Sequence, residues 1–293
     1  MMVRREGRTR QRIDYAADVA TWHCLSSLGT AIIAWTINND YLDHMWFIDG
    51  AGEPDTYVIQ NTVGGSYMDM SKSSSDDGTP IIGFHKTSPG NNQKWIIKEE
   101  ASGSGHWKIQ NKATGTFVDL LNGGGGNGNQ IVGWQGSWHD ATSLGHQHWT
   151  FQPRSLPGNE IHATLRANHH LRQDFKSYKT DCLYLVLSRE HIEDIWRNSV
   201  LKNRKWRCEI FDCDDFAFVY KGEVCKWAEA NFKADARGFA VVCGIMFGTN
   251  DRGRGHAYNW MIDPDNHSSI IFFEPQNSSF KENPGYDAYF GVF

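Results

Sequence analysis

A segment that occurs three times constrains this chain more than any other feature. Gly29-Thr-Ala-Ile-Ile-Ala-Trp35 returns as Gly78-Thr-Pro-Ile-Ile-Gly-Phe84 and as Gly128-Asn-Gln-Ile-Val-Gly-Trp134. Each copy is followed 11 to 15 residues later by a triplet ending in tryptophan: His44-Met45-Trp46, Gln93-Lys94-Trp95 and Gln147-His148-Trp149. Copies two and three also share Tyr57-Val-Ile-Gln-Asn61 with Trp107-Lys-Ile-Gln-Asn111, and Tyr67-Met-Asp-Met70 with Phe117-Val-Asp-Leu120. Within each copy, short alternating runs are bounded by Gly, Ser, Asn and Asp, which reads as strands and turns. A unit of about 50 residues cannot bury a core alone, so three units sharing one core predict a closed all-β body.

Carbohydrate recognition needs a carboxylate or amide that forks onto neighbouring hydroxyls. It also needs an aromatic face against the C–H side of the sugar. Copy two offers Asp69, Phe84, His85, Asn92 and Gln93; copy three offers Asp119, Trp134, Trp138, His146 and Gln147. Trp46, Trp95 and Trp149 recur at a core-like position and read as structural. The three tryptophan triplets resemble the Gln-x-Trp repeats of the ricin-B-type lectins, whose fold is the β-trefoil; the resemblance covers residues 13–152. It implies that the Asp and the aromatic at the end of the next strand line each pocket. The first copy departs from the pattern: His44 replaces Gln, and no Tyr/Phe-x-Asp segment precedes Cys24.

Residues 152–158, Gln-Pro-Arg-Ser-Leu-Pro-Gly, read as the end of the repeats and a linker over 153–158. With 293 residues, two domains are the default. Beyond the linker the apolar period changes. Ser188 caps an expected helix to about Leu201, and a second helix runs from Cys213 to about Phe232. Strand-like runs follow over 238–248, 256–262 and 269–274. Helices and then strands predict an α+β domain over 159–293. The net charge of −5 leaves no electrostatic footprint for nucleic acid. Arg4, Arg5, Arg8, Arg10 and Arg12 lie in an expected disordered tail over 1–12 without the apolar run of a signal peptide, so a cytoplasmic location is expected. Five of the six cysteines fall in the second half without metal-ligand spacing, which suits free thiols in a reducing compartment.

One of those thiols stands apart. Cys213 lies between Asp212 and the pair Asp214 and Asp215, at the start of the second expected helix. The helix N-terminus lowers a thiol pKa, whereas neighbouring carboxylates raise it. Downstream, His256 opens one strand, and Glu274 and Gln276 close the next. A cysteine at a helix start, a histidine at a strand start and an acid on the adjacent strand are what a nucleophile, its base and the base's orienting group require. That order resembles the papain-like cysteine proteases. Trefoil repeats followed by Asp212-Cys-Asp-Asp-Phe-Ala217, Gly255-His-Ala-Tyr-Asn259 and Phe272-Phe-Glu-Pro-Gln-Asn277 resemble, as a set, the fungal chimerolectins of the Marasmius oreades agglutinin and Polyporus squamosus lectin type.

The resemblance implies a papain-like C-terminal domain with Cys213 as nucleophile, His256 as general base and Glu274 as orienting group. It implies a cysteine endopeptidase switched on by Ca2+ or Mn2+, for which Asp214, Asp215, Glu274 and Gln276 are the oxygen donors at hand. It implies galactose-terminated or sialylated galactose glycans as partners, a protein substrate, a homodimer formed through the C-terminal domain, and a defence toxin acting on external cells after ingestion. The alternative is a non-enzymatic dimeric lectin whose C-terminal domain serves only for dimerisation. Apart from the Cys213 N–H, the oxyanion donors are not identified, because Arg207, Cys208 and Glu209 stand where papain-like enzymes place a glutamine.

Overall fold

The computed structural model describes residues 9–15, 21–23, 28–36, 41–88, 90–139, 145–234 and 239–293. Two compact units meet in sequence between Arg154 and Ser155. Of the tail expected over 1–12, residues 1–8 lie outside the described residues. Residues 9–12 instead belong to the strand Thr9–Tyr15, which pairs antiparallel with Trp149–Pro153 and Trp46–Gly50. Main-chain pairing is indifferent to the arginines that suggested a tail.

The first unit is all-β, with antiparallel pairings within and between the copies. The core gathers equivalent residues from each: Ile32, Ile81 and Ile131 from the glycine-led segments, and Trp46, Trp95 and Trp149 from the triplets. The latter two indoles donate to the Met68 and Val118 carbonyls at 3.0 Å, so the recurrent tryptophans are core residues with satisfied N–H groups. Gly29, Gly78 and Gly128 take φ of 80°, 83° and 87°, a backbone that explains why glycine opens each copy. The shared Gln-Asn pair closes a turn. Gln60 and Gln110 donate to the Gly65 and Gly115 carbonyls at 2.7 Å. Asn61 and Asn111 accept from the amides just after them.

The second unit is α+β. Helix α1 spans Gly158–Arg166, α2 Arg189–Asn198 and α3 Cys213–Asn231. Ser188 Oγ accepts from His191 N, the cap expected for α2. Phe216, Ala217, Tyr220 and Val224 form the buried face of α3. The expected linker is largely absent. Ser155–Pro157 is the edge strand of a small sheet, paired with Leu183–Leu185, and Gly158 starts α1. An edge strand tolerates proline because one side needs no donor. The run expected over 238–248 is two strands, Phe239–Val241 and Gly244–Thr249, in different sheets.

The larger sheet contains Gly255–Ile262 between Gly244–Thr249 and Ile270–Glu274. Its faces do different work. Ala257 packs with Ala217, Ile245 and Cys213, and Asn259 Nδ2 donates to the Ala217 carbonyl, so this face carries α3. Tyr258, Trp260, Ile262, Ile270 and Phe272 face the other way, into a core shared with Ile161 and Leu165 of α1. Among the described residues no helix is long and apolar enough to cross a membrane.

Candidate functional site

Copies two and three build the same polar floor. In copy two, the strand Tyr67–Met70 carries Asp69, which is buried. One carboxylate oxygen accepts from Asn92 Nδ2 and Gln93 Nε2, both at 2.8 Å. Gln93 also donates to the His85 carbonyl at 2.7 Å and accepts from Thr87 N at 2.9 Å. In copy three, Asp119 accepts from Gln147 Nε2 at 2.8 Å and lies 2.8 Å from His146 Nδ1. Gln147 reaches the Gln135 carbonyl at 3.1 Å, and among the described residues its Oε1 has no partner. Burial pushes both carboxyl groups above their ordinary value, and the amide hydrogen bonds pull back. Gln93 and Gln147 are buried, like the aspartates, and hold them in place.

The walls are aromatic. Phe84 pairs across strands with Tyr67, and Trp134 with Phe117. His85 lies against Phe84 at 4.2 Å, and Trp138 stands edge-on to Phe117 at 4.9 Å. Of the glycan residues expected from copies two and three, His85, Asn92 and Gln93 interact with Asp69, and His146 and Gln147 with Asp119, while Phe84, Trp134 and Trp138 adjoin Tyr67 or Phe117 on the strands that carry the aspartates. Tyr67 and Phe117 were missed. They lie two residues before the aspartates and so on the same strand face, which was the available signal.

A second constellation lies in the other unit. Cys213 is the first residue of α3 and half-buried. Its sulfur accepts from Ala257 N–H, which lowers its pKa, but burial and the charges of Asp212 and Asp214 leave it above the ordinary thiol value. Ligand atoms of Asp212, Cys213 and Asp214 all lie within 4.8 Å of one another. A hydrogen bond between the two carboxyl groups pulls Asp212 below the ordinary aspartate value and pushes Asp214 above it. Asp215 Oδ2 accepts from Asp212 N at 3.1 Å and caps the helix.

His256 and Glu274 meet as expected, Nε2 to Oε2, at 2.6 Å. Gln276 N donates to the other Glu274 oxygen at 3.2 Å, and Trp196 Nε1 to the Pro275 carbonyl at 2.7 Å, which fixes the turn. His256 packs against Tyr286 and Tyr258, on the strand face opposite Ala257. No hydrogen bond joins His256 to Cys213. Of the four expected metal donors, Asp214 falls in the close group with Asp212 and Cys213. Asp214 joins Asp212, Asp215 caps, and Glu274 serves His256. A pair of neighbouring carboxylates suits a divalent cation, and among the described residues one buried Asp212 oxygen has no hydrogen-bond partner. Among the described residues, Asp212 and Asp214 group with Cys213 closely enough to hold such an ion.

Comparison with known proteins covers both units. Residues 184–280 match the family model "Agglutinin C-terminal", and residues 91–170 match "Ricin-type beta-trefoil lectin domain-like". A crystal structure of Polyporus squamosus lectin bound to Neu5Aca2-6Galb1-4GlcNAc is 46% identical over 99% of this chain and 100% of that one, with a TM-score of 0.87. A structure described as the PSL1a-E64 complex has the same identity and coverage, with a TM-score of 0.86. No curated protein sequence matches the chain.

Proposed function

We propose a function from one premise: the chain belongs to the family of the Polyporus squamosus lectin, a ricin-type β-trefoil followed by an agglutinin C-terminal domain. The chain is a glycan-binding lectin. The observation that carries this is the duplicated floor, in which Asp69 and Asp119 are each held by an amide staple beneath an aromatic wall. A staple that spends the amide on one carboxylate oxygen leaves acceptor capacity for sugar hydroxyls, and the ring covers the apolar sugar face. The favoured ligands are galactose-ended glycans, with or without sialic acid. An Asp69→Ala, Asp119→Ala double variant should lose binding to immobilised galactosyl glycoprotein; full retention would sink the reading.

For the C-terminal unit, a non-enzymatic dimerisation module accords best with the comparisons, which name lectins and an agglutinin domain. A pair would make weak sugar sites multivalent. A second reading, a papain-like cysteine endopeptidase, rests on one specific observation: the imidazole of His256 is oriented by Glu274 at 2.6 Å, beside the residue whose N–H meets the Cys213 sulfur. In that reading Cys213 attacks a peptide carbonyl, His256 carries the proton from thiol to leaving amine, and the imidazole must swing to the α3 side of its strand. A bound Ca2+ or Mn2+ would supply positive charge at Asp212 and Asp214, which eases thiolate formation. The PSL1a complex with E64 motivates the same probe here. A toxin that is stored in the cytoplasm and acts on cells of animals that ingest it follows from this reading. Cys213→Ala separates the two: haemagglutination should survive in both, whereas loss of peptide hydrolysis in the variant alone supports the peptidase. No hydrolysis by the native chain with Ca2+ or Mn2+ present leaves the module.

A further inference from the structure

The two sugar pockets share a floor but not a charge. Beside the copy-two pocket stand Lys72, Lys86 and, from copy one, Leu28, where the copy-three pocket has Asn122, Gly136 and, from copy two, Asp77. The correspondence is structural as well as sequential. Lys72 and Asn122 occupy the same left-handed turn position, with φ of 54° and 55°. Gly29 N donates to the Gly83 carbonyl as Gly78 N does to Gly133, so Leu28 and Asp77 sit at matching places beside the two pockets. Lys86 Nζ lies 5.6 Å from the ring centre of Tyr67, two residues before Asp69 and on the same strand face. The turn that carries Lys72 packs against the Asn91–Gln93 turn that holds Asp69. His85 adds a favourable charge interaction with Asp69.

Around the third-copy pocket the sign changes. Asp77 accepts from Gln135 N at 2.6 Å, and its charge raises the Asp119 carboxyl further. Gly136 has no room for a side chain, since a Cβ would stand 2.4 Å from Gln147 Oε1 and 2.9 Å from Phe117. His146 is spent on Asp119. Lys98 lies over the Trp138 ring at 5.1 Å rather than over Phe117, the counterpart of Tyr67, and the buried Lys108 is taken up by the Ser137 carbonyl and Glu100. Where copy two has Ser88, copy three has Trp138, so a lysine-rimmed wall is replaced by an indole.

We propose that the pockets divide the ligands: the Asp69 pocket takes galactose glycans bearing a carboxylate, through Lys86 and Lys72, and the Asp119 pocket takes uncharged galactose ends. This rests on the lectin reading above. A carboxylate beside Asp69 needs those cations to offset the buried aspartate. Beside Asp119 and Asp77 it meets two like charges without a lysine at either matching position.

The test is titration of the full chain with Neu5Acα2-6Galβ1-4GlcNAc and with Galβ1-4GlcNAc. An Asp119→Ala variant, left with the first of these pockets, should prefer the sialylated ligand; an Asp69→Ala variant should not. Adding Lys86→Gln to Asp119→Ala should cut the sialylated-to-neutral affinity ratio about fivefold, the scale of one exposed ion pair, and raised salt should shrink the ratio beforehand. Lys86 is exposed, so Lys86→Gln in the native background keeps the test standing if an aspartate variant fails to fold. Equal ratios in the two single-pocket variants, or a ratio unmoved by Lys86→Gln, would overturn the division. Absence of binding to either ligand by the native chain sinks the lectin reading, and the division with it.

Discussion

His256 and Glu274 form a 2.6 Å pair on the face of their sheet that looks away from α3, whereas Cys213, at the tip of α3, meets the same strand one residue later through Ala257 N–H. Both side chains of the pair are mostly buried, with 16% and 17% of their surface exposed. Glu274→Gln removes the charge from that bond and leaves the ring without its anionic partner. The expected cost is about 1–2 kcal/mol in urea unfolding. A midpoint equal to that of the native chain would show that Tyr286 and Trp196 alone hold this corner.

The thiol titrates late. Burial, then Asp212 and Asp214, hold Cys213 above the ordinary thiol value of 9.0. Alkylation by iodoacetamide at pH 8, followed by mass spectrometry of the Cys213 peptide, should therefore lag behind a free cysteine peptide. Asp214→Asn should speed it about threefold by removing one of the adjacent charges. Millimolar Ca2+ should speed the native chain and leave Asp214→Asn nearly unchanged. A native rate indifferent to Ca2+ and chelator would exclude a cation at the aspartate pair.

Glycan binding and stability should part company in acid. Asp69 and Asp119 are raised above 3.8 mainly by burial. A group whose folded pKa exceeds its unfolded pKa binds more protons when folded, so its contribution to stability grows as pH falls through that window. The sugar fork, however, needs the ionised carboxylate. Affinity should thus begin to fall at a pH where an ordinary aspartate is still ionised, while the contribution of these two groups to the melting temperature does not fall. Titrations and melts between pH 3 and 6 check this, and a joint decline would mean that binding is lost through unfolding.

What could be read from sequence follows from where the information lies. The trefoil was legible because a shared core forces Ile32, Ile81 and Ile131, and the three tryptophans, to recur in step. Ser188 and the apolar face of α3 were legible because caps and 3.6-residue periodicity are local. The strand Leu171–Tyr178 was not, since LRQDFKSY shows mainly polar residues and gains its place only by parallel pairing with Asp287–Val292. Nor could sequence show that His256 and Cys213 occupy opposite sides of one strand. Spacing gives order, and the pleat with its neighbours gives the face. Asp215 illustrates the same limit: its residue type suits a metal ligand and a helix cap equally, and only the fold reveals its hydrogen bond from Asp212 N.

Lys108 is the least expected residue in the trefoil, a fully buried lysine where copy two has Val58. Its ammonium donates to the Ser137 carbonyl at 2.9 Å and lies 3.6 Å from Glu100, which also meets His148 at 3.1 Å. Trp138 follows Ser137 directly, so this buried charge ties down the loop that walls the Asp119 pocket. Lys108→Met keeps the volume and deletes the donor. It should cost about 2 kcal/mol, because a carbonyl and a carboxylate each lose a partner. The informative readout is selective. In an Asp69→Ala background, where only the Asp119 pocket remains of the pair, affinity for Galβ1-4GlcNAc should fall and Trp138 emission should shift. In an Asp119→Ala background, glycan affinity should be unaffected by the same change. Unchanged affinity in the first background would mean that the edge-on contact with Phe117 holds Trp138 without help from the buried lysine.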